Sequence, residues 1–310
     1  MACRKFLLFA GVALSAGITA SAQTVTPTPE AGITPSTIVL YRDDVLPGKD
    51  AAYQRTEQEI ANAYVKAKIP AYWLALQSIT SSSNVLYFDG FDSFAAVDET
   101  GATLAQSLEA NPEIAALQQK LQENIASSRT VLGYRRDDMS FRLNRIDLSA
   151  ARYVRVSIVE VRPGYEEEFI EAMRARVRLF ETNDIDRPWM IYEVHSGLPL
   201  PTFIEFHPMD SLGEIDDILD RTKKGRHPAL ESRTVPPQKW MKETALSISV
   251  EIYGVNLSIS HLAPPAAAAD LPVRERKGLA SGFEARFVNR NIPIEKNPES
   301  NGLVSNQKKD

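Results

Sequence analysis

The chain repeats itself at a fixed interval. Val45-Leu46-Pro47-Gly48 returns as Val161-Arg162-Pro163-Gly164, Ile69 and Trp73 return as Ile185 and Trp189, and Asn111-Pro112 returns as His227-Pro228, each pair 116 positions apart. Asp92 to Glu99 matches Asp210 to Asp217 at a spacing of 118, so the second copy carries two extra residues in the hairpin before that segment. Each copy is roughly one ordinary domain in size. The spacing therefore predicts two units with one supersecondary plan.

With 310 residues, 44% hydrophobic and 24% charged, the chain can bury substantial cores. A net charge of −5, from 40 acids against 35 bases, argues against nucleic acid as a partner, because the phosphate backbone selects Lys/Arg-rich faces.

Residues 1–22 read as a signal peptide. Arg4 and Lys5 form a positive start, Phe6 to Leu14 a short apolar core, and Ala20-Ser21-Ala22 the small-residue site a signal peptidase accepts, with Gln23 as the new N-terminus. The apolar core falls well short of the roughly 20 residues a membrane span needs, so no span is expected after processing. The single cysteine, Cys3, leaves with this segment, and the mature chain has no thiol or disulfide. Export to the periplasm or the medium is the expected localisation. Residues 23–35 are Thr/Pro-rich and read as a tether, and residues 263–310 as a poorly ordered tail in which Phe283 and Phe287 could dock.

Residues 36–148 and 149–262 are then the two units. In the second, Tyr153 to Val161 alternates as a strand, Pro163-Gly164 breaks it, and Phe169, Met173, Val177 and Phe180 recur at helical spacing. Glu166-Glu167-Glu168 sets negative charge in that helix's first turn, where the backbone dipole favours it. Trp189 to His195 and Thr202 to His207 form a hairpin, a helix follows from Asp210-Ser211, another begins near Pro228, and Ala245 to Tyr253 closes the unit as a strand. The first unit has strands near Thr37–Arg42, Tyr72–Ile79, Asn84–Phe91 and Ser128–Arg136 and a long helix at Asp50–Lys68. The β-α-β-β-α-β order is the α+β, ferredoxin-like plan.

Alternation sorts the strand residues into two faces. Met190, Tyr192, Val194, Ile204, Phe206, Leu246, Ile248, Val250 and Ile252 are expected under the helices, and Trp189, Glu193, His195, Glu205, His207, Ser249, Glu251 and Tyr253 on an uncovered face. In the first unit Leu74, Leu76, Leu86 and Phe88 contrast in the same way with Trp73, Gln77, Tyr87 and Asp89.

The repeat plan, the Val-x-Pro-Gly turn and the Asp-Ser-Phe/Leu segment resemble the dimeric α/β-barrel superfamily, with the antibiotic-biosynthesis-monooxygenase-like and NIPSNAP-like groups as the nearest kin. The resemblance covers about Ser36 to Leu262. It implies two ferredoxin-like units packed sheet to sheet around a cavity, either as a monomeric pseudo-dimer or within a higher homo-oligomer.

In such a cavity Glu193, Glu205 and His207 are the candidate catalytic set. Two carboxylates and an imidazole on one face could work as general acid and base or hold a divalent ion, though no metal-ligand spacing is present and no cofactor is expected; equally, they could line a solvated sheet face. Trp73 and Trp189, at equivalent positions, are either aromatic walls for a flat ligand or packing residues that seal the interface between the units. Gln77, Tyr87, Asp89, Glu251 and Tyr253 complete the ligand-binding candidates. Arg135, Arg136, Arg142 and Arg145 form a basic cluster at the junction, suited to an acidic ligand or to salt bridges. His195, His227 and His261 are expected in solvated or capping roles. The sequence points first to an exported protein that binds a small apolar or aromatic molecule between the repeats. The alternative implied by the resemblance is a cofactor-independent monooxygenase or isomerase with His207 as base, and a haem-handling variant would need His207 as its axial ligand.

Overall fold

The computed structural model describes residues 34–223 and 243–263. Its strands are β1 (Thr37–Val45), β2 (Leu74–Ser78), β3 (Asn84–Phe91), β4 (Ile125–Arg135), β5 (Tyr153–Val161), β6 (Met190–Ser196), β7 (Thr202–Met209) and β8 (Ala245–Val255). Its α-helices are α1 (Asp50–Ala67), α2 (Phe94–Glu109), α3 (Pro112–Gln122), α4 (Glu166–Thr182) and α5 (Gly213–Lys223). Most of these elements follow the expected order and limits to within a few residues. The signal segment, the helix expected near Pro228 with His227, and the tail with Phe283 and Phe287 lie outside the described residues.

Local chemistry accounts for the element ends. Gly48 and Gly164 follow their prolines with φ of 77° and 88°, in the left-handed region that glycine reaches without a Cβ penalty, and the chain turns there from strand into α1 and α4. Ser93 caps α2 by accepting a hydrogen bond from the Ala96 amide at 3.2 Å, and Pro112 opens α3, where its missing N–H costs nothing.

The strands form one closed antiparallel barrel in the order β1-β3-β2-β8-β5-β7-β6-β4. Within it β4-β1-β3-β2 and β8-β5-β7-β6 run in the same pattern, which is the ferredoxin-like strand order. The halves meet edge to edge: β2 pairs with β8 through Gln77 and Gly254, and β4 pairs with β6 through Tyr134 and Glu193. The expectation of two sheets stacked face to face is thereby corrected. Each edge strand finds its missing hydrogen-bond partners on the other half, and closure removes every exposed edge.

Closure also reverses the face assignment. All eight strands contribute to one buried cluster inside the barrel, among them Ile38, Leu74, Leu86, Val131, Val154, Met190, Ile204 and Tyr253. At its centre Phe88 packs edge-on against Phe206 and Tyr192, with ring centroids 5.2 and 6.0 Å apart. A second cluster joins Val39, Tyr87 and Trp73 to α1, α2 and α3, and a third joins Val159, Trp189, Ile191 and Phe203 to α4. Met190, Tyr192, Val194, Ile204 and Phe206, expected beneath the helices, therefore fill the barrel, while Trp73, Trp189, Tyr87, Glu205 and His207 face outward. On β8 the alternation runs the other way, with Tyr253 inside and Ile248 and Val250 outside, 49% and 44% exposed.

Among the described residues no helix is long and apolar enough to cross a membrane.

Candidate functional site

Glu205 and His207 lie on the outer face of β7 because Ile204 and Phe206, alternating with them, enter the barrel core. Glu205 accepts two hydrogen bonds from the Arg176 guanidinium of α4, at 2.5 and 3.1 Å. That guanidinium also lies over the Trp189 ring, 3.9 Å from its centroid. Burial works to raise the Glu205 pKa, but Arg176, assisted by Arg155 and His207, outweighs it and holds the carboxyl below the usual range. Glu205 is thus a fixed anion, occupied by its partner.

His207 is 6% exposed. Burial drives its pKa down to about 4; the attraction of Glu205 opposes this, and the cations Arg176, Arg155 and Arg187 reinforce it. The imidazole is neutral at neutral pH. Its Nε2 is buried without a hydrogen-bond partner among the described residues. An unpaired buried polar atom costs about 1–3 kcal/mol.

The imidazole forms part of the wall of a pocket of about 300 Å³. Ala150 and Ala151, from the segment joining β4 to β5, together with Pro188 and Pro208, give it an apolar side. Arg145, Arg187, Asp147, Asp186, Asp210 and Glu214 supply the charges. Most of these are engaged. Asp186 binds Arg142 at 2.8 Å and Arg145 at 2.6 Å, Asp147 accepts from the Ser149 amide at 2.9 Å and its hydroxyl at 2.6 Å, and Glu214 accepts from the Asp210 amide at 2.7 Å. The volume is at the small end for a ligand site.

The other candidates are dispersed. Glu193 is on the outer face, tied to Arg136, and stands opposite Phe203, so it does not join Glu205 and His207. Tyr87 shares a 2.8 Å hydrogen bond with the Tyr53 hydroxyl, which donates to Asp43 at 2.9 Å. Gln77 accepts from Gln54 at 2.9 Å and Asn256 at 3.1 Å, and Asp89 is buried on the outer face of β3. Trp73 and Trp189 are 3% and 0% exposed, with their indole N–H groups bonded to backbone carbonyls, and act in packing. Glu251 and Tyr253 share one face of β8, where Glu251 accepts from Arg42 at 2.8 Å, Ser81 at 2.9 Å and Tyr253 at 2.9 Å. Burial opposes its charge, yet these donors hold its carboxyl below the usual range. They form a polar network linking β1, β8 and the β2–β3 turn.

Of the remaining histidines, His261 is not solvated: it is 8% exposed, bridges to Trp73 and sits 2.7 Å from the Ala71 carbonyl through Nδ1, whereas His195 is exposed. The junction arginines serve salt bridges, Arg142 to Asp184 and Asp186 and Arg136 to Asp138 and Glu193. Among the described residues no three His, Cys, Asp or Glu converge as metal ligands. The surroundings of His207 do not fit a haem either, since charged side chains line the small pocket where the macrocycle needs a broad apolar slot beside its axial ligand. Sequence reasoning missed Arg176 and Arg187: one looks like any helix-surface arginine, and the other precedes a proline in a loop with no motif.

No protein-family profile and no curated protein matches the sequence. Solved structures do match. An anthrone oxidase-like protein aligns at 15% identity over 74% of this chain and 95% of that one, with a TM-score of 0.49. A monooxygenase candidate from Lactobacillus acidophilus aligns at 10% identity over 72% and 94%, with a TM-score of 0.44. Chlorite dismutase from Candidatus Nitrospira defluvii, in complex with imidazole, aligns at 7% identity over 72% and 92%, with a TM-score of 0.42. At these values the likeness concerns the chain trace and transfers no chemistry to this protein.

Proposed function

We propose that this chain is an exported tandem duplication of a ferredoxin-like unit that binds a small molecule, and that the ligand occupies the outer pocket beside His207. The barrel interior is filled by its own side chains, which supports a site on the outer face over one between the repeats. The observation that carries the reading is a buried, neutral imidazole with an unpartnered Nε2 on the wall of a pocket.

Support for the duplication comes from paired irregularities. The β1–β4 ladder slips between Asp44 and Val45, and the β5–β8 ladder between Glu160 and Val161, 116 positions on. An isolated bridge joins Phe141 to Trp189, and another joins His261 to Trp73. Export is supported by the Ala20-Ser21-Ala22 site after a short apolar core.

Binding is favoured over a monooxygenase or isomerase reaction by the basicity of the imidazole. A group that holds its proton only below about pH 4 is a weak general base at neutral pH, where an effective one titrates near the working pH. The test is a thermal-shift screen of small molecules on the parent and on Ala150→Trp, which puts an indole at a lining position of the pocket. A ligand that binds only the folded state raises the melting point through mass action, and such ligands should lose their effect in the variant. Equal shifts in both proteins would place the ligand elsewhere.

A further inference from the structure

Arg187 borders the same pocket and is the least satisfied cation there. Its side chain is only 16% exposed, yet its nearest ionic contact is Asp217 at 3.8 Å, beyond hydrogen-bonding distance, and the Asp217 side chain is itself 67% exposed. The guanidinium donates no hydrogen bond among the described residues. By contrast Arg145 is bound to Asp186 at 2.6 Å, and Asp147 and Glu214 are held by local amides. Besides the Asp210 carboxylate, the pocket therefore presents two nitrogen groups with open capacity, the Arg187 fork and the His207 imidazole. They come from different elements, the approach to β6 and the end of β7.

A planar fork of N–H donors matches a carboxylate, which it can bind through two parallel hydrogen bonds. The neutral imidazole adds a donor or an acceptor according to its tautomer. Charge balance in the pocket limits the ligand further. Asp147, Asp186, Asp210 and Glu214 line the pocket together with Arg145 and Arg187, so the lining carries more negative than positive charge and a dianion such as phosphate is repelled more than a monoanion whose one charge is held against Arg187. Ala150, Ala151, Pro188 and Pro208 give the rest of the ligand an apolar wall, in a volume suited to about one ring.

We infer that the pocket takes a small aromatic or otherwise apolar monocarboxylate, its carboxylate on Arg187 and His207 and its apolar body against the two prolines and two alanines. This deepens the reading of the pocket as a ligand site and rests on it. The probes are benzoate and its neutral isostere benzamide, titrated calorimetrically into the mature full-length protein and into Arg187→Gln. Benzoate should bind the parent at least tenfold more tightly than benzamide does, and the preference should vanish in Arg187→Gln. Because that variant could unfold, a second reading is taken on the parent alone. The His207 imidazole resonances, identified by their loss in His207→Gln, should shift with benzoate at concentrations at which benzamide leaves them in place.

Equal affinities for the two probes, with the His207 resonances moving for both, would overturn the carboxylate assignment and leave the pocket itself standing. Benzoate binding that leaves those resonances unmoved would overturn both. If neither probe binds at millimolar concentration, the one-ring monocarboxylate is rejected, and the Ala150→Trp screen judges the pocket separately.

Discussion

Trp189 donates its indole N–H to the carbonyl of Met139 across 2.8 Å, reaching from the second half of the barrel to the turn that ends the first. Trp73 does the reverse, donating to the carbonyl of Ile259 at 2.8 Å. Around each, a serine hydroxyl of the opposite half accepts a strand amide, Ser140 from Ile191 and Ser260 from Ala75, both at 2.9 Å. The two halves clasp each other twice, away from the barrel interior.

These clasps should dominate the stability of the assembly. Trp73→Ala and Trp189→Ala should each cost about 3–5 kcal/mol, the usual penalty for emptying a buried indole site. Trp189→Phe should cost less, because it keeps the ring and loses mainly the hydrogen bond to Met139, about 1–3 kcal/mol with the carbonyl left unpaired. Urea denaturation of the three variants gives the comparison. Parent-like midpoints for both alanine variants would mean that the halves do not depend on the clasps.

The Arg176–Glu205 pair should behave as a buried couple. Arg176→Met strips Glu205, only 12% exposed, of both its guanidinium hydrogen bonds and should cost about 3–5 kcal/mol, while Arg176→Met with Glu205→Gln should recover much of the loss. A double-mutant cycle by chemical denaturation measures the coupling. Additive losses would show that the two side chains contribute separately.

Acid should destabilise the protein through His207 before its carboxylates titrate. The folded pKa of about 4 lies below the ordinary value near 6.5, so between these limits the unfolded chain binds a proton that the folded imidazole refuses. Stability contributed by the neutral ring is present above about pH 6.5 and lost as the pH falls toward 4, reaching about 3 kcal/mol at the lower limit. Glu205 and Glu251, with lowered pKa values, lose their contribution only at more acid pH. Denaturation free energies at pH 7 and 4.5 should therefore differ more in the parent than in His207→Gln. An identical pH slope in the two would assign the acid limb to other groups.

Export should leave Gln23 at the N-terminus, as the small-residue pattern Ala20-Ser21-Ala22 dictates. Intact-mass measurement of protein recovered from the cell envelope checks this. A mass retaining Met1 to Ala22 would sink the processing and the localisation together.

Element limits and order were legible in the sequence because they are written locally, in the Pro47-Gly48 and Pro163-Gly164 turns, in the helical spacing of Phe169, Met173 and Phe180, and in the alternation of Tyr192 to His195. The same alternation separated Glu205 and His207 from Ile204 and Phe206 correctly, but could not say which set lay inside. On β1, β3, β6 and β7 both faces are largely buried, one in the barrel and one toward the helices, so apolarity marks the faces without ordering them. That order was set when β2 met β8 and β4 met β6, pairings between positions far apart in the chain that no local pattern encodes. The pocket is of the same kind. His207 was visible in the sequence as one of a set with Glu193 and Glu205, but Ala150, Arg187-Pro188 and Glu214 come from separate segments, and only tertiary packing brings them around it, buries its ring and keeps it neutral.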